Sequence, residues 1–86
     1  MVRIVEMKQK EVINIKDGCR IGFINDLSID EESGKISEII VPGPAKMFGI
    51  LGSEQEFLIP WCDIVQIGDD LILVDVDTKK ILVDCD

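Results

Sequence analysis

The sequence predicts an all-β fold, a small antiparallel β-barrel of six or seven short strands, and three observations carry that expectation. Apolar runs of four to six residues recur with turn signals between them at spacings near ten residues, the pattern of a meandering small β-domain. No stretch shows a convincing helical apolar stripe. The hydrophobic fraction, 47%, comes with only three Phe, one Trp and no Tyr, so the interior must be built from Ile, Val and Leu, residues that suit a pleated surface. At 86 residues the chain is one domain, residues 1–86, with a compact core. Closure into a barrel removes exposed edges without the need for two full sheets.

Taken in order, residues Val2 to Gln9 hold too few apolar positions, Ile4, Val5 and Met7, to decide between a short strand and a single helical turn. The run Val12-Ile13-Asn14-Ile15 reads as a strand, and Asp17-Gly18 after it is a hairpin signal. Arg20 to Val41 is the organising stretch: a long strand, a turn at Asp30 to Lys35 with Gly34 supplying a positive φ, and a returning strand. Its first half alternates Ile21, Phe23, Asn25, Leu27 and Ile29 against more polar neighbours, which predicts one inward apolar row.

The stretch after Val41 carries Pro42 and Pro44 with glycines at 43, 49 and 52, a composition that interrupts both ladders and helices. It reads as a long loop or the distorted tip of a hairpin. Phe57, Ile59 and Trp61 then share a strand face, which makes Trp61 a core residue, and Pro60 stops the strand near that point. Ile64 to Ile67 and Leu71 to Val74 flank Gly68-Asp69-Asp70 as a tight hairpin. If Ile72, Val74 and Val76 point inward, Leu71 and Leu73 point outward on a strand that needs cover on both faces. Asp77 to Lys80 can reverse the chain so that Ile81-Leu82-Val83 pairs back.

Charge narrows the function. The net charge of −8 and pI near 4.3 disfavour nucleic acid, whose affinity rests on Lys and Arg displacing counterions. With no His, no Tyr, no GxSxG and no Gly-rich phosphate loop, the common nucleophile-and-base arrangements cannot be assembled, so the reading is a non-enzyme with no catalytic residue and no cofactor. Asp26, Asp30, Glu31 and Glu32 read as a solvated turn rather than a metal site, since Asp26 and Asp30 would lie about 13 Å apart by strand rise. Cys19, Cys62 and Cys85 follow no metal spacing and fit a reduced, cytoplasmic protein, with Cys62 a structural, partly buried thiol. The N-terminus lacks an apolar run long enough for a signal peptide, and there are nowhere 18 consecutive apolar residues, so no membrane partner is expected.

The candidate contact residues are Met47, Phe48, Ile50 and Leu51 in the glycine-bearing loop, together with Leu71 and Leu73. Large apolar groups left outside a small core usually mark contact surfaces, although the loop residues could instead fold back to plug one barrel end. If all six lie on one side, a two-fold homodimer would remove them from water.

Several segments together resemble a known family: Asp17-Gly18, Arg20-Ile21-Gly22-Phe23-Ile24, Asp26-Leu27, Ile29-Asp30, Gly34-Lys35-Ile36 and Ile39-Ile40-Val41 are similar to the opening of a PRC-barrel domain. Phe48 to Gly52, Phe57 to Trp61, Asp63-Ile64-Val65 and Ile67 to Val74 resemble the narrower, sporulation-associated YlmC/YmxH group. The likeness covers roughly Lys10 to Val76 and leaves 77–86 as a tail. It implies a small β-barrel that binds proteins, as in the photosynthetic reaction-centre H subunit and RimM-type ribosome-maturation factors, and association with sporulation in spore-forming bacteria. The expected function is therefore a protein-interaction module with an unidentified protein partner. The alternative is a ribosome-assembly or RNA-processing accessory that acts through a protein partner. A small-ligand carrier fits least, because Ile, Val and Leu should fill the interior.

Overall fold

The computed structural model describes residues 2–43 and 55–84. Among these residues eight strands form two four-stranded sheets: β1 Glu11–Asn14, β2 Arg20–Phe23, β3 Asp26–Ile29, β4 Ile36–Pro42, β5 Gln55–Pro60, β6 Ile64–Ile67, β7 Leu71–Val74 and β8 Leu82–Asp84. The first sheet has the order β2-β1-β7-β6 and the second β3-β4-β5-β8. Two short helices, α1 Ile4–Met7 and α2 Thr78–Ile81, flank them. The expected all-β character stands, but the closed barrel does not, because β2 and β6 end one sheet and β3 and β8 end the other.

The central departure lies in the stretch read as one long strand. It breaks at Ile24-Asn25, so that β2 joins the first sheet and β3 the second. Opposite β1 the pairing passes from Val12↔Gly22 to Ile13↔Arg20 and skips Ile21. A bulge changes which face a residue takes, because the side-chain period is two. Ile21 therefore packs against the core while Phe23, expected beside it, is 51% exposed and Ile24 takes the buried place. Gly22 makes this turn of the backbone possible: its φ is +138°, and a Cβ there would lie 3.1 Å from Val41 Cγ1 on the opposite sheet. Ile29, also expected inside, is exposed at the end of β3, where the ladder with β4 becomes irregular.

The core lies between the sheets. Val12, Ile72 and Val74 come from the first, Ile39, Val41 and Ile59 from the second, and Met7, Ile24 and Val76 close it from the connections. Among the described residues Asn14 is the buried polar one. Its Nδ2 donates to the Val76 carbonyl at 2.9 Å, and its Oδ1 accepts from Val76 N at 3.2 Å and from Lys16 N at 3.3 Å. The side chain thus stands in for a strand partner and fastens the chain beyond β7 to β1.

The segment Val2 to Gln9, left open from sequence, resolves as the helical turn α1, with Met7 its buried residue. The chain reversal expected at Asp77 to Lys80 is α2, capped by the Asp77 carboxylate, which accepts from Lys79 N at 3.0 Å. β8 then pairs antiparallel with β5, so the tail region through residue 84 belongs to the fold. Strand β5 ends at Pro60 as expected, but Trp61 sits in a 3₁₀ turn, Trp61–Asp63, where it is half-buried against the core rather than enclosed by it. The same turn points Cys62 to solvent, so the expected partly buried thiol is exposed, 3.9 Å from Asp63 Oδ1.

Candidate contact face

Strand register builds the site. Directly paired residues in a sheet point to the same face. In the first sheet Phe23, Glu11 and Leu71 form one row, and Arg20, Ile13, Leu73 and Gln66 form the next. Both rows face away from the core, because the alternating rows hold the buried Val12, Ile72, Asn14 and Val74. Leu71 is 42% exposed and Leu73 half-buried, so the inward placement of Ile72, Val74 and Val76 and the outward placement of these two leucines agree with the sequence reading. The β6–β7 ladder skips Val65, leaving it 56% exposed near the sheet's edge.

The outcome is an apolar outer face with Ile13 and Leu73 side by side at its centre and Phe23, Leu71 and Val65 around them. Glu11 stands within it, between Phe23 and Leu71, and other polar groups rim it. Arg20 Nε lies 3.9 Å from Glu11 Oε1 on the β2 side, and Lys16 Nζ lies 4.0 Å from Asp75 Oδ1 beyond the strand ends. These exposed pairs add little stability, and they can exchange partners readily with another surface. An apolar centre with a polar rim is the anatomy of a protein contact surface.

Of the residues singled out from sequence, Leu71 and Leu73 meet on this face. Met47, Phe48, Ile50 and Leu51 lie outside the described residues. Sequence reasoning missed Phe23, Ile13 and Val65. Gly22 inside a strand pattern was the available signal for a bulge, and hence for a change of face at Phe23. The acidic stretch around Asp30 is a turn: Asp30 Oδ1 accepts from Glu32 N at 3.0 Å, and Gly34 N donates to the Asp30 carbonyl at 2.7 Å. Among the described residues no group of three or more His, Cys, Asp or Glu side chains is arranged to hold a metal ion. No helix among them is long and apolar enough to cross a membrane.

The PRC-barrel domain family matches residues 1–81. This chain belongs to that family. The match extends beyond the region quoted from sequence at both ends and takes in α1 and α2, in keeping with their packing of Met7 and Ile81 against the core. Within the family the chain is 45% identical over 74 residues to the probable sporulation protein YlmC of Bacillus subtilis, covering 86% of this chain and 91% of that one. It is 45% identical over 71 residues to an uncharacterized protein of Clostridium acetobutylicum, covering 83% of this chain and 80% of the relative. It is 35% identical over 77 residues to the uncharacterized protein YmxH of Bacillus subtilis, covering 87% and 89% respectively.

Proposed function

We propose that this chain is a non-enzymatic protein-interaction module that works in the cytoplasm of a spore-forming bacterium during sporulation. The observation that carries the reading is the outer face of the first sheet, where Ile13, Phe23, Leu71 and Leu73 stand together although the fold has a separate, filled core. Monomeric proteins rarely leave a contiguous apolar face of this kind to water. The link to sporulation rests on the likeness to YlmC. Contact through side chains on a rigid sheet needs no catalytic group, which suits a chain without histidine or tyrosine.

The test is gene replacement in the native spore former, using Ile13→Lys with Phe23→Asp. The variant should keep the wild-type circular dichroism and lower the yield of heat-resistant spores as far as deletion does, with wild type restoring it. Ile29→Lys, exposed on the other sheet, is the control and should leave the yield unchanged. A folded face variant that sporulates normally contradicts the proposal. Direct binding of a purified ribosomal protein to this face would turn the reading toward ribosome assembly.

A further inference from the structure

The outer face of the first sheet ends in a groove at the β6–β7 turn. Gln66, Gly68, Asp69, Asp70, Leu71 and Leu73 line a space of about 290 Å³. Two leucines therefore lie against two exposed carboxylates, and neither Asp69 nor Asp70 takes part in an ion pair among the described residues. Such a groove suits a segment that carries apolar side chains beside cations. In a molecule of net charge −8 few segments qualify.

The N-terminal segment does. Val2, Ile4 and Val5 are 43%, 50% and 59% exposed around α1, and Arg3 and Lys8 are exposed beside them, with Glu6 as the acid of that turn. This helix cannot turn into its own groove. Met7 anchors its inner side in the core, Lys10 Nζ donates to the Gly68 carbonyl, and Glu11 N donates to the Asp70 carbonyl at 3.2 Å. Those bonds also make the helix and the groove neighbours on one surface. Two complementary patches side by side on one molecule satisfy each other across a two-fold axis, because each contact then occurs twice.

We infer that the chain forms a two-fold dimer in which α1 of each copy, through Val2, Ile4, Val5, Arg3 and Lys8, seats in the Asp69-Asp70-Leu71-Leu73 groove of the other. This deepens the reading of the outer face as a contact surface, and it names a second copy as one occupant. Opposite charges offset the repulsion that two chains of like net charge would otherwise meet.

Sedimentation and light scattering on the full chain test it, with three variants verified as folded by circular dichroism. Wild type should run at twice the 9.6 kDa chain mass in the micromolar range. Arg3→Glu with Lys8→Glu, and separately Asp69→Lys with Asp70→Lys, should each raise Kd by about tenfold or more. An equimolar mixture of the two should dimerise again. So should the chain that carries all four changes, in which the two double reversals cancel and leave the net charge at −8. If a charge variant unfolds, Val5→Ser and Leu71→Ser replace it and should weaken the dimer likewise. A wild type that stays monomeric, a dimer indifferent to both reversals, or a mixture that fails to recover overturns the inference. A monomeric wild type would leave the contact-face proposal standing, because that rests on spore yield.

Discussion

Asn14 fastens β1 to the chain beyond β7 with two buried hydrogen bonds to Val76 and accepts a third from Lys16 N, so its removal leaves the Val76 N–H and C=O without partners. Each unmet buried group costs about 1–3 kcal/mol, and Asn14→Ala is expected to lose about 3 kcal/mol in urea unfolding. That is a large share of the stability of a domain this size. Asn14→Asp should depend on pH in a defined direction. The carboxyl must be protonated to donate to the Val76 carbonyl, so the native state binds a proton that the unfolded state releases at pH ~7. Stability then falls as pH rises, and the variant's midpoint should recover toward wild type between about pH 7 and pH 4. A flat profile would mean that the site takes in water and tolerates the charge. Gly22 offers a second contrast. Its Cβ would crowd Val41 at a φ of +138°, whereas Gly18 at φ +72° has nothing within 4 Å. Gly18→Ala should cost about 1 kcal/mol and Gly22→Ala about 3 kcal/mol, the difference being strain plus displacement of Val41.

At the scale of elements, the hairpins were legible because their turns are chemically marked. Asp17-Gly18, Gly34 and Gly68-Asp69-Asp70 stand where the chain reverses, and Gly18 and Gly34 hold positive φ values. The faces were less legible. Period-two reading assumes an unbroken ladder, and this chain skips Ile21, Ser37 and Val65, each time changing which side chains face outward. Phe23 was misplaced for that reason and Ile29 because it ends its strand at the surface, and the contact face was found only in part. The partnership of β1 with β7 is parallel and joins residues about sixty positions apart, which local pattern cannot reveal. Trp61 belongs to the same lesson: alternation placed it in the strand, but Pro60 ends the ladder and the 3₁₀ turn leaves the indole half-buried. Trp61→Ala should therefore cost about 2 kcal/mol, below the ~3–5 kcal/mol of a fully enclosed Trp. Its fluorescence in the native protein should be quenched by iodide to an intermediate degree. Complete protection would place it in the core after all.

For the whole molecule, two sheets that share one core leave two outer faces, and among the described strand residues Phe23, Val65 and Leu71 of the β2-β1-β7-β6 sheet are exposed large apolar side chains, against Ile29 in the other sheet. The chain passes from one sheet to the other at Ile24-Asn25, and β2 and β3, the strands on either side of that passage, are edge strands of different sheets. The charge of −8 has a separate consequence: neither duplex DNA nor single-stranded RNA should bind at physiological salt, and a gel shift should show free nucleic acid throughout the micromolar range. A salt-sensitive shift below micromolar would contradict this.

The most direct measurement of the contact-face account is site-specific photocrosslinking in cells entering sporulation. A photoreactive phenylalanine analogue placed at Phe23, and in a second strain at Ile13, which shares the face but lies outside the groove, should give the same discrete adduct, which appears on illumination and is absent when the analogue stands at Ile29. No adduct from either face position, or an adduct from Ile29 alone, would contradict the assignment of the outer face of the first sheet as the surface through which this protein acts.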